Sequence, residues 1–136
     1  MKELPLPVVI SVLTYDNKIL LIKRVRGEYV GLWGLPGGKI EKNEHLSEAA
    51  IREIFEEAGI QAEFINHLAI VSEHLIKDGN VIRHFLLHIC RLIPKSINIT
   101  NNQEGELSWF DLDMIERMKD QIIPSDFLMI QKIIKN

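Results

Sequence analysis

Two hydrophobic periods alternate along this chain. Val8–Thr14 is β-branched and apolar, as a buried strand is. Tyr15-Asp16-Asn17 is turn chemistry, and Lys18–Arg24 resumes the strand pattern, so the pair predicts a hairpin. A glycine-bearing loop, Arg26–Gly34, carries Tyr29 and Trp33; Trp33 packs against the core edge or stacks on a ligand ring, with packing favoured. The period then changes. From Glu44 to Ala58 apolar residues recur at helical spacing, with Asn43 placed as N-cap and Gly59 as the left-handed stop. Ala62–Ile76 is extended, Lys77-Asp78-Gly79-Asn80 is a hairpin turn, and Val81–Ile93 returns. Alternation puts Arg83, Phe85, Leu87 and Ile89 on one face of the returning strand and His84, Leu86, His88 and Cys90 on the other. Pro94 ends that strand, and Ile97–Gly105 is a polar connection. A short strand at Glu106–Phe110, a short helix at Leu112–Met118 and a last helix from Pro124 complete the order. That order predicts an α/β/α sandwich around a mixed, partly antiparallel sheet.

The central helix divides its surface unusually. On the wheel, Ala50, Ile51, Ile54, Phe55 and Ala58 form a core-facing side. Glu53, Glu56 and Glu57 share another face, where like charges at i, i+3 and i+4 repel. A hard divalent cation with oxygen ligands is one natural counter-charge, and a solvated acidic face is the plain alternative. The turn that feeds the helix, Leu35-Pro36-Gly37-Gly38-Lys39, favours the cation. Its glycines permit close backbone approach to a ligand, and Lys39 adds a positive charge.

Composition narrows the classes. A chain of 136 residues, 46% hydrophobic and 26% charged, fits one globular domain over residues 1–136. The net charge of −3 disfavours a general nucleic-acid surface, including one for messenger RNA. One cysteine, Cys90, excludes an internal disulfide and suits a cytoplasmic setting, most simply as a small buried hydrophobe. No apolar run reaches the roughly 18 residues of a membrane span. Leu4–Leu13 is apolar, but its prolines and Glu3 argue against a signal peptide. The five histidines show no metal-cluster spacing.

Gly38 to Ile60 resembles the Nudix box, the signature of Nudix hydrolases. Gly38, Glu44, Arg52, Glu53, Glu56, Glu57 and Gly59 occupy its fixed positions, with Ile54 and Ile60 at the aliphatic ones. The resemblance implies the Nudix fold and Mg²⁺-dependent hydrolysis, with Mn²⁺ as a substitute, of a nucleoside diphosphate linked to another group. It implies that Glu53, Glu56 and Glu57, with the Gly37 or Gly38 carbonyl, hold the metal. Arg52 would orient the glutamates, and Glu44 would pair structurally near the helix start. Arg24, Gly38, Lys39 and Asp126 are the expected substrate contacts. The box leaves the general base open. Glu104 and Glu106 precede the Trp109-Phe110 strand, where relatives carry such an acid, and Glu104 lies further out on the loop. Two substrate groups compete: nucleoside triphosphates, and ADP-ribose or nucleotide sugars. In relatives that clear oxidised purines, an Asn after a late Pro-x reads the base. Asp126 stands there and departs from that pattern; helix capping is its favoured role. A catalytic cysteine of the isopentenyl-diphosphate isomerase kind is disfavoured by the short chain and complete box. The non-enzymatic alternative is a nucleotide-sensing domain. Either a monomer or a homodimer is compatible with the strand pairs.

Overall fold

The computed structural model describes residues 4–100 and 105–135. Among these, the strands are β1 (Leu6–Tyr15), β2 (Lys18–Lys23), β3 (Trp33–Gly34), β4 (Gly37–Lys39), β5 (Ala62–Lys77), β6 (Asn80–Pro94) and β7 (Glu106–Asp111). The central helix is α1 (Leu46–Ala58), and α2 (Pro124–Met129) runs on into a π turn at Ile130–Ile134. The strands form one sheet in the order β3-β2-β1-β6-β5, with β4 against β1 and β7 against β2. Among the described residues β1–β6 is the one parallel pairing between strands, beside an isolated parallel bridge of Trp33 with Ile122, so the sheet is mixed as the element order predicts.

Both hairpins turn as their sequences require. Asp16 and Asn17 have φ of 46° and 59°, and Asp78 and Gly79 have φ of 53° and 79°. Two consecutive left-handed residues match the twist of the flanking strands.

The predicted alternation of β6 sorts its side chains into two cores. Leu87 and Ile89 join Ile10, Val12, Ile19 and Leu21 beneath α2 and the π turn, against Phe127, Met129 and Ile130. Cys90 and Leu92 join Val9, Leu13 and Leu20 beneath α1, against Ala49, Ala50, Ile54 and Ala58. The small alanines let α1 sit close to the sheet, where the buried Ser11 hydroxyl donates to the Ala50 carbonyl at 2.9 Å. The result is the α/β/α sandwich.

Three expectations need correction. Asn43 is not the helix cap: it turns the chain at φ 64°, and α1 starts after His45, whose N–H is held by the Glu48 carboxylate at 2.9 Å. Glu44 is pulled out of the helix by other partners, the Glu41 N–H among them at 3.0 Å. Phe55 is 53% exposed, because the buried stripe of α1 is centred on Ala50, Ile54 and Ala58 and leaves Phe55 at its outer edge. The third concerns the helix predicted at Leu112–Met118. It is a 3₁₀ helix extending over Leu112–Gln121. Gly59, by contrast, stops α1 as expected, at φ 70° with its N–H on the Phe55 carbonyl. No described helix is long and apolar enough to cross a membrane.

Candidate active site

The site begins with the two glycines of β4. Gly37 lies opposite Ile10 and Gly38 opposite Val9 in the antiparallel pairing with β1. A methyl group on Gly37 would collide with the Val9 carbonyl, and one on Gly38 with the Glu53 carboxylate. The glycines therefore serve close packing within the chain: one against the sheet, the other against an acid of α1. Upstream, the Trp33–Pro36 segment is stitched on both sides. The Ser11 N–H donates to the Pro36 carbonyl and the Ile123 N–H to the Trp33 carbonyl, each at 2.9 Å. Trp33 itself packs edge-on against Phe110, with ring centres 4.8 Å apart, and is buried. Packing, the favoured reading of this residue, is what the structure has.

One guanidinium organises the acids. Arg52 grips Glu44 with two bonds, Nε to Oε2 at 2.6 Å and Nη2 to Oε1 at 3.0 Å. Its Nη2 also donates to the Lys39 carbonyl at 3.0 Å, and its Nη1 to Glu53 Oε1 and Glu56 Oε1, both at 2.9 Å. Such a fork of rigid donors fixes the acids far better than a point charge could. The Arg52 hydrogen bond holds the Glu44 carboxyl below its ordinary range. Burial pushes the Glu53 carboxyl up, against the pull of Arg52.

The three helix acids are not equivalent. Glu57 is buried, with 5% exposure, and shares a hydrogen bond with Glu53. Glu56 is exposed and turned to Arg52. Among the described residues no three acid, histidine or cysteine side chains converge as a ready-made metal cage. What does converge is oxygen alone: two carboxylates pressed together and partly withdrawn from water, beside the glycine backbone. That donor set fits a hard divalent cation such as Mg²⁺ or Mn²⁺ and does not suit zinc.

Two adjoining cavities meet at Arg24, Leu35 and Gly37. The smaller, about 200 Å³, is lined by Lys23, Arg24, Arg26 and Glu57 among others, with the Lys23 ammonium drawn 5.9 Å from the centre of the Trp33 ring. The larger, about 570 Å³, runs from Gly38 towards Tyr29, Glu73, Phe85 and Asp126. Asp126 does not cap α2, whose cap position is Ile123. Its Oδ2 instead accepts the Leu35 N–H at 2.8 Å, and the Ser125 hydroxyl lies 3.3 Å from Oδ1. Burial pushes the Asp126 carboxyl up to about 6, with Glu73 adding repulsion and the Leu35 N–H and Arg24 opposing. Gly34 packs closely beside it, and a side chain there would press on the Asp126 and Ile123 side chains.

Of the expected contacts, Arg24, Gly37, Gly38, Glu57 and Asp126 border these cavities, and Glu53 lies against Gly38. Lys39 is exposed and borders neither; its carbonyl is taken by Arg52. Glu104 lies outside the described residues, and Glu106 is exposed at the start of β7. Sequence reasoning missed Lys23, Arg26, Tyr29, Glu73 and Phe85. Glu73 lies in the polar run Ser72-Glu73-His74 of β5, which carries no local signal of a site.

Comparison with known proteins gives a consistent result. The NUDIX domain family matches residues 5–132. The chain is 32% identical over 111 residues to mouse "Nucleoside diphosphate-linked moiety X motif 6", covering 80% of this chain and 35% of that protein. It is 41% identical over 68 residues to an ADP-ribose pyrophosphatase of Methanocaldococcus jannaschii, covering 50% of this chain and 40% of that one. The chain thus spans well under half of each relative's length. A crystal structure of a MutT NUDIX hydrolase from Burkholderia pseudomallei superposes with a TM-score of 0.76 at 28% identity, covering 96% of this chain and 98% of that one.

Proposed function

The chain belongs to the Nudix hydrolase family, and from that premise we propose that it is a divalent-cation-dependent hydrolase of the pyrophosphate bridge in a nucleoside diphosphate linked to another group. The observation that carries this reading is the small cavity lined by Arg24, Arg26 and the buried Glu57 beside Gly37. Guanidinium groups and a carboxylate around one cavity suit a diphosphate chain travelling with a metal ion. Residues 1–136 act as one such domain in a cytoplasmic setting.

The division of labour follows the two cavities. Arg24, with Arg26, neutralises phosphate oxygens; Lys39, exposed nearby, meets those of the outer phosphate. Glu53, Glu56, Glu57 and the Gly37 carbonyl would hold Mg²⁺ or Mn²⁺, which supplies charge neutralisation of the phosphoryl oxygens. Arg52 positions Glu53 and Glu56, and Glu44 positions Arg52. The nucleoside enters the larger cavity, where Asp126 offers an acceptor to its ring and Tyr29 and Phe85 offer apolar walls. Water attacks one phosphorus of the bridge, Glu104 takes its proton, and the bridging P–O bond breaks to give a nucleoside monophosphate and the phosphate of the other group, which leaves with the bridging oxygen. Nucleoside triphosphates and ADP-ribose are the two substrate groups carried forward. The archaeal relative's name supports the second, and Asp126 in place of Asn disfavours strict recognition of oxidised guanine.

The test is a panel of (d)NTPs, 8-oxo-dGTP, ADP-ribose, dinucleoside polyphosphates and UDP-sugars, incubated with Mg²⁺ or with a chelator. Products are identified by mass spectrometry. A nucleoside monophosphate that appears only with the metal supports the proposal. Binding without turnover across the panel would make the chain a nucleotide sensor and overturn it.

A further inference from the structure

Five of the described residues other than glycine hold a positive φ: Asp16, Asn17, Tyr29, Asn43 and Asp78. Four are Asp or Asn, whose short polar side chains tolerate the left-handed region. Tyr29, at φ 61°, is the exception. A bulky side chain there costs stability that glycine or asparagine would not. The surrounding loop fixes that conformation. The Arg24 N–H donates to the Leu32 carbonyl and the Gly31 N–H to the Arg24 carbonyl, each at 2.9 Å. The Leu32 N–H returns to the Tyr29 carbonyl at 3.1 Å, and Gly27 and Gly31, at φ 77° and 90°, take the other bends. The core does not claim the ring. Tyr29 is 50% exposed and meets no other aromatic ring among the described residues. It lines the larger cavity instead, as does Leu128, 52% exposed on α2.

We propose that Tyr29 is the stacking surface for the base of the nucleotide and that it selects two-ring purines over one-ring pyrimidines. This deepens the hydrolase reading and rests on it. An aromatic side chain half open to water in a cavity gains by having its bare face covered, and the base is the planar part of a nucleotide. The phosphates belong at the other end, where the two cavities meet at Arg24 and Gly37. A cavity of about 570 Å³ has room for a two-ring base. The wider ring system covers more of the phenol face and buries more apolar surface, so purines are favoured. The strained backbone serves the same end. A loose loop would have to order itself on binding at a cost in entropy, whereas backbone hydrogen bonds have ordered this one beforehand. Glycine or asparagine would suit the backbone at this position and leave the base without its platform.

The test uses the full chain with Mg²⁺ in isothermal titration calorimetry. The probes are methylene-bridged ADP, GDP, CDP and UDP, whose P–C–P bridge resists cleavage. Wild type should bind the purine analogues about five- to tenfold more tightly than the pyrimidine ones. Tyr29→Asn keeps a residue suited to the left-handed backbone and removes the ring. It should weaken purine binding about tenfold and pyrimidine binding about two- to threefold, and melt no lower than wild type. Tyr29→Phe keeps the ring and should bind all four analogues within about twofold of wild type. Several outcomes would overturn the proposal: purine affinity unchanged in Tyr29→Asn, equal losses for purines and pyrimidines, the same loss in Tyr29→Phe, or a fall of several degrees in the melting temperature of Tyr29→Asn, the mark of a ring that holds the fold. Failure of wild type to bind any analogue would overturn it too, and turnover in the substrate panel then decides whether the hydrolase reading falls with it.

Discussion

The two ends of the candidate site are built in opposite ways. The phosphate end is drawn mostly from one stretch: Gly37, Gly38, Glu44, Arg52, Glu53 and Glu57 lie within 21 positions and are tied by the Arg52 fork. The ring end is assembled from remote pieces, with Tyr29 on a loop, Glu73 and Phe85 on the hairpin, and Asp126 on α2. Charge differs as well. Basic side chains gather at the first end, while Glu73 and Asp126 face the second. Chemistry common to every diphosphate needs one fixed cradle. Choice among rings needs walls that vary independently.

That contrast can be broken by substitution. The largest effect is expected at the phosphate end. Glu57→Gln keeps the shape of a buried side chain and removes its charge, so kcat should fall about 10²–10³-fold while KM and the melting temperature change little. Equal losses in kcat and in ground-state affinity would erase the distinction. At the ring end, Asp126→Asn keeps an acceptor for the Leu35 N–H and should raise KM several-fold, unevenly across bases, with kcat nearly intact. It also carries a pH signature. The folded carboxyl holds its proton to about 6, above its ordinary 3.8. Between those values the folded state binds more protons than the unfolded one, so this group's contribution makes stability fall as pH rises from about 4 to about 6, then level off. Melting curves of Asp126→Asn should lack that fall, and parallel curves for both proteins would refute the assignment. The smallest effect is expected at Phe55, inside the signature stretch but outside its chemistry. Phe55→Ala should shift stability by no more than about 0.5 kcal/mol and leave kcat/KM unchanged. A loss of several kcal/mol in denaturant titration would return Phe55 to the core.

The same contrast explains what could be read in advance. The five long strands, both hairpins and the Gly59 stop follow local rules and appear where the period and turn residues put them, whereas β3 and β4, read as loop and turn, are strands only through pairing with β2 and β1. Glu53, Glu56 and Glu57 were legible because helical spacing brings them to one face, whereas the role of Arg52 was implied by the resemblance to the Nudix box. The helix start was not, because Asn43 has the right chemistry for a cap while Glu44 is claimed by Arg52, eight residues away. Asp126 was misjudged for a related reason. Its place in the first turn of α2 suggests capping, yet the N–H it accepts belongs to Leu35, 91 residues upstream. Lys23, Arg26, Tyr29 and Glu73 become neighbours of the site only after the sheet closes, and no spacing in the chain announces that.

The parallel pairing of β1 with β6 carries a consequence for how the molecule comes into being. Leu6 meets Phe85 and Leu13 meets Leu92, so the middle of the sheet joins segments some eighty residues apart. Contacts that distant close late, after local ones have formed. As the chain leaves the ribosome, β1 and β2 can pair at once, but the glycine strand and α1 must wait for the β5–β6 hairpin before the sheet beneath them is complete. Synthesis must run past Asp126 before both halves of the pocket exist, so a prematurely terminated product carries the full signature stretch and no working site.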